Sequence, residues 1–96
     1  MKEVLHVDSE NKSKVEDILK KDDIVSRGSI TIKSPSSLDM KEEGYFFILD
    51  MPEESIKRTE DLVKGLAKKH PHAKEIIKKV DDQENAAMEG FGNILG

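Results

Sequence analysis

At 96 residues the chain has room for one domain around one modest core. Charged residues make up 38% and hydrophobic residues 35%, which describes a highly charged globular protein, and the absence of cysteine excludes disulfides, thiolate metal sites and a cysteine nucleophile. The net charge of -4 rests on 14 lysines and two arginines, Arg27 and Arg58, against 20 carboxylates, a balance poorly suited to neutralising nucleic-acid phosphates.

The chain opens with Val4-Leu5-His6-Val7, too short an apolar window for a signal peptide or a membrane span, so a cytoplasmic protein with no membrane partner is expected. The dominance of lysine and glutamate, with a single glutamine, fits a thermophilic source. Val4–Val7 reads as a first strand, after which Asp8-Ser9 supplies a helix start signal. Val15, Ile18 and Leu19 recur at i, i+3 and i+4, which predicts a helix over Ser9–Lys21, broken by Asp22-Asp23. From Ile24 to Lys33 the apolar residues Ile24, Ile30 and Ile32 fall on alternate positions, predicting a second strand bent at Gly28 with those residues facing inward. A polar connection, 34–43, leads to a third strand, Gly44–Asp50.

Met51-Pro52-Glu53-Glu54 opens a second helix, with proline at its start and two carboxylates at the positive end of the dipole. Its stripe of Ile56, Leu62, Val63, Leu66 and Ala67 predicts a helix that runs on to Lys69 and stops at His70-Pro71-His72. Ala73, Ile76, Ile77 and Val80 then sit at i, i+3, i+4 and i+7, so a third helix is expected in preference to a fourth strand. It should end near Gly90, giving a single domain over 1–90 and a flexible tail over 91–96.

The resulting expectation is an α+β fold with a three-stranded antiparallel sheet in βαββα order, related to the split βαβ or ferredoxin-like plait, plus a C-terminal helix. In that arrangement the third strand is central, and Tyr45-Phe46-Phe47-Ile48-Leu49 is apolar on both of its faces. Phe46 and Ile48 are expected to face the helices. Tyr45, Phe47 and Leu49 would face outward, beside His6 and Arg27, as an interaction surface.

The segment Glu43-Gly44-Tyr45-Phe46-Phe47-Ile48-Leu49-Asp50 resembles the third-strand motif of the RNA recognition motif family at Gly44, Tyr45, Phe47 and Ile48. The resemblance implies base stacking on Tyr45 and Phe47. The chain departs from the motif at Glu43, Phe46 and Asp50, where the family carries a cation, a small residue and an aromatic. Coverage of the outer face by protein, either the third helix or a second copy, weighs more than RNA, because each large side chain so covered contributes roughly 1.5–3 kcal/mol.

No residue set points to catalysis or to a cofactor. His70 and His72, with His6 or a carboxylate, form an incomplete metal ligand set, better read as a solvated turn after the second helix. The acidic pairs, including Asp81-Asp82, lack both the spacing of a calcium loop and the opposition across a pocket that acid–base chemistry needs. Ser34, Ser36 and Ser37 lie in a segment without the glycines of a phosphate-binding loop. The expectation is therefore a non-enzymatic interaction or regulatory module with a protein partner, homodimeric through the aromatic strand face or the C-terminal helix. Single-stranded RNA binding is the alternative.

Overall fold

The computed structural model describes the backbone of residues 1–95 and the side chains of residues 1–84. The elements follow as β1 (Lys2–Val7), α1 (Lys12–Lys21), β2 (Ser29–Lys33), β3 (Tyr45–Asp50), α2 (Glu53–Leu62), β4 (Ala67–Lys69) and α3 (Ala73–Leu95). The sheet is antiparallel, in the order β2-β3-β1-β4, so it has four strands and not the expected three.

The additional strand comes from residues expected to finish the second helix. Gly65 adopts φ +85°, a left-handed conformation that stops a helix at little cost for glycine. The amides of Leu66 and Ala67 then close back onto the Val63 carbonyl at 2.8 and 3.0 Å, and the reversed chain pairs Ala67 with Val7 and Lys69 with Leu5. Leu66 and Ala67, which fit the helical stripe, instead pack on the core from the turn and from β4.

A second correction concerns the approach to β2. Ile24 is 47% exposed while Val25 is buried, the reverse of the expected alternation. The cause is Asp22, whose Oδ1 accepts the amides of Ile24 and Val25 at 3.1 and 3.0 Å and so winds Val25–Arg27 into a 3-10 turn. Arg58 of α2 donates through Nε to both Asp22 oxygens at 3.0 and 2.9 Å, which anchors that turn to the second helix. These bonds hold the Asp22 carboxyl at about 2, the Arg58 guanidinium being the larger cause and the Val25 amide the next.

The domain has three layers. On one face, Val15 and Leu19 of α1 and Ile56 of α2 pack on Leu5, Val7, Phe47 and Leu49, with Ile30 and Ile32 of β2 at the margin. On the other, Ile76 and Val80 of α3 pack on Val4, Phe46 and Ile48, joined by Leu38 from the connection that precedes β3. The helical spacing of Ala73, Ile76, Ile77 and Val80 thus serves as expected, as the face α3 turns to the sheet. The helix itself runs to Leu95, and the side chains of the expected tail, 91–96, lie outside the described residues. No helix of the described residues is long and apolar enough to cross a membrane.

Candidate interaction surface

β3 answers for its own composition. It pairs with β1 on one side and β2 on the other, and both of its faces lie under helices. Phe46, Phe47 and Leu49 are all 0% exposed. The expected orientation is inverted: Tyr45, Phe47 and Leu49 point to α1 and α2, and Phe46 and Ile48 point to α3. A strand's period fixes which side chains share a face, but which face meets which layer depends on the chain's crossovers. Gly44 helps hold this register, since at φ +86° a Cβ there would lie 2.4 Å from the Val7 carbonyl oxygen.

The five residues expected to share an interaction surface are therefore dispersed. Tyr45 is half-buried against the helix-side core, with the Lys12 ammonium 5.0 Å from its ring centre. Phe47 and Leu49 are buried inside the same core, His6 lies on the opposite face, and Arg27 is exposed in the 3-10 turn before β2.

What the fold does bring together is the histidines, all three in the chain. His6 and His70 flank Phe46 at ring-centre distances of 5.9 and 5.2 Å, and His72 lies 5.9 Å from His70. Strand pairing causes this: β4 lies beside β1, with Lys68 opposite His6 and the His70 amide on the Val4 carbonyl at 3.0 Å. His70 is buried, with its Nε2 at 2.9 Å from both oxygens of Glu42. Its Nδ1 accepts the His72 amide at 3.0 Å, which places the neutral ring's proton on Nε2, directed at Glu42. His6 bonds through Nε2 to the Glu43 carbonyl.

Both nitrogens of His70 are thus engaged, and the two histidines act as fasteners that hold the connection before β3 against β1 and β4. Lys79 and Gln83 of α3 hold the same connection through the carbonyls of Leu38 and Ser37. Among the described residues no group of three histidine or carboxylate side chains has the arrangement to hold a metal ion. The Glu42–His70 pair spans 28 positions of sequence, and no spacing rule announces it.

The open part of the sheet is its β2 edge. Along it, between α1 and β2, runs a groove of about 270 Å³ with Leu19, Ile30, Ile32 and Phe47 in its walls and floor and Glu16 and Lys20 beside them. Glu16 is paired with Lys12 at 2.9 Å and with Lys20 at 3.4 Å, bonds that lower its carboxyl below the usual range, the Lys12 contact being the larger cause. Ile30 and Ile32 remain half-buried, large β-branched residues left at a sheet margin. The opposite edge is blunter: β4 has three residues, two of them exposed lysines. Lys69 there pairs with Glu60 of α2 at 3.1 Å, which raises the lysine above its ordinary value.

Comparisons of the chain with family models, with curated proteins and with solved structures find no match.

Proposed function

We propose that this protein is a non-catalytic interaction module that takes up an extended strand of a protein partner along β2. The observation that carries the reading is a five-residue edge strand, which among the described residues pairs with β3 on one side alone, next to an apolar groove. Alternate residues of an edge strand direct their N–H and C=O groups outward, and an added strand satisfies them while its side chains enter the neighbouring groove. We further read the strand, helix, strand, strand, helix, strand order, with β1 and β3 central, as a split βαβ or ferredoxin-like plait to which α3 has been added.

The RNA reading is not favoured, because stacking on Tyr45 and Phe47 needs both rings on an open sheet face, and Phe47 is fully buried under α1. Association through the aromatic strand face meets the same objection.

Ten-residue peptides selected from a random library, added to methyl-labelled protein, test the strand-uptake reading. Saturable shifts at the Leu19, Ile30 and Ile32 methyls, lost in Ile32→Lys, are the expected result. Selected peptides that shift only methyls of the α3 face, such as Ile77 and Val80, would overturn it.

A further inference from the structure

The strand-uptake reading leaves the partner open, and the edge itself narrows the choice. Antiparallel pairing of a strand over its full length with a second copy of itself places a two-fold axis between the two copies of its central residue, and for Ser29-Ile30-Thr31-Ile32-Lys33 that residue is Thr31. The axis sets Thr31 opposite Thr31, and Ile30 opposite Ile32 twice. Both are favourable cross-strand pairs. No like charges meet in this register, since Lys33 falls opposite Ser29.

The groove adds charge complementarity. The two-fold axis of such a pair is perpendicular to the sheet, so the two α1 helices lie on the same side, antiparallel, flanking it. The opposed helix directions set Glu16 and Lys20, one helical turn apart beside each groove, in reverse order across the axis, so each copy offers both a carboxylate and an ammonium to the ammonium and carboxylate of the other. Lys20 has 73% of its side chain exposed and holds its own Glu16 only through a surface contact at 3.4 Å, which it can exchange for that of the other copy at little cost. The half-buried Ile30 and Ile32 of the two copies meet beneath these helices and close both grooves at once.

We infer that the strand taken up by β2 is β2 of a second copy of this chain, forming a two-fold dimer with a continuous eight-stranded sheet centred on Thr31. This inference rests on the strand-uptake reading and fixes its partner. The edge is short, so the interface belongs to the small class and dimerisation falls on the order of micromolar.

Because the chain has no cysteine, single cysteines report the register directly. Sedimentation of the wild-type chain from about 1 µM to about 1 mM should show a monomer passing to a dimer. With diamide as oxidant, Thr31→Cys should cross-link roughly tenfold faster than the exposed control Ser36→Cys, because the axis holds the two thiols together. Ser29→Cys should cross-link with Lys33→Cys faster than either does with itself, and Ile32→Lys should stay monomeric with an unchanged circular dichroism spectrum. A chain that remains monomeric to the top of the range, with Thr31→Cys no faster than the control, overturns the inference; peptide-induced shifts at Ile30 and Ile32 in that same chain would leave strand uptake standing with another partner. A dimer in which Thr31→Cys gains no advantage also overturns it, since the interface must then lie elsewhere.

Discussion

Replacement of Phe46 by alanine separates a closed outer sheet face from an open one. The ring is 0% exposed, lies 5.2 Å from the His70 ring, and packs in a cluster with Val4, Leu38, Ile76 and Val80. Losing the buried ring forfeits about 2 kcal/mol of transfer free energy. The void left behind, ~100 Å³, adds about 2 kcal/mol at ~24 cal/mol per Å³, giving a total of about 4. A 96-residue domain has roughly 5–14 kcal/mol in all, so the variant should fold but with much of its margin gone. In urea, with a slope of about 1–2 kcal/mol per M, the midpoint should fall by roughly 2–4 M. Phe47→Ala, under α1 on the other face, should fall by a similar amount. If Phe47→Ala is severe while Phe46→Ala costs less than about 1 kcal/mol, as for an exposed ring, α3 does not cover the sheet in solution and the three-layer reading fails.

Three further outcomes follow from local geometry. Gly44→Ala should cost well over about 1 kcal/mol, since its Cβ meets the Val7 carbonyl, whereas Gly65→Ala, with the same positive φ but open space around it, should cost only about 1; equal urea midpoints would refute the steric distinction. Asp39 holds φ 58°, where glycine relieves roughly 1–2 kcal/mol of left-handed strain against about 0.4–1 kcal/mol of freedom added to the unfolded chain, so Asp39→Gly should stabilise the fold by no more than about 1 kcal/mol in thermal melts, and a loss of stability would show that the Asp39 side chain makes an unrecognised contribution. Asp22 has its folded value lowered from 3.8 to about 2, so its contribution is present above the unfolded value and is lost as pH falls from about 4 toward 2; Asp22→Asn should flatten that part of the stability profile, and an unchanged profile would exclude the Arg58 contact as its source.

The helices were legible because each buries one stripe. Val15 and Leu19, Ile56, and Ile76 with Val80 all occupy the spacing that their sequence positions imply. β4 was not, because three residues are too few to show a period, and Leu66 and Ala67 continue the stripe of α2 by coincidence. The available signal was Gly65, whose left-handed conformation turns the chain where the helical pattern alone would carry on. The exchange of Ile24 and Val25 has a local cause: Ile30 and Ile32 face inward as the alternation predicts, but the Asp22 carboxylate bends the backbone before the strand begins, turning Ile24 out and Val25 in. The candidate surface was the least legible part, since it depends on which crossover covers which face. His6 and His70 are 64 positions apart, and only the β1–β4 pairing brings their rings to 6.3 Å.

A central strand that is apolar on both sides, such as Tyr45–Asp50, demands a layer on each side of the sheet. The second helix layer is α3, which Lys79 and Gln83 fasten to the connection before β3, itself held to β1 and β4 by His6 and His70. Once both faces are filled from within the chain, recognition through the sheet is confined to its edges. β4 is short and lysine-bearing, which resists strand addition. β2 carries Ile30 and Ile32 beside a groove and only a single lysine, Lys33, at its end. The aromatic strand that draws attention in the sequence therefore acts by closing the faces, and the less conspicuous Ser29–Lys33 is left as the place where another chain can pair.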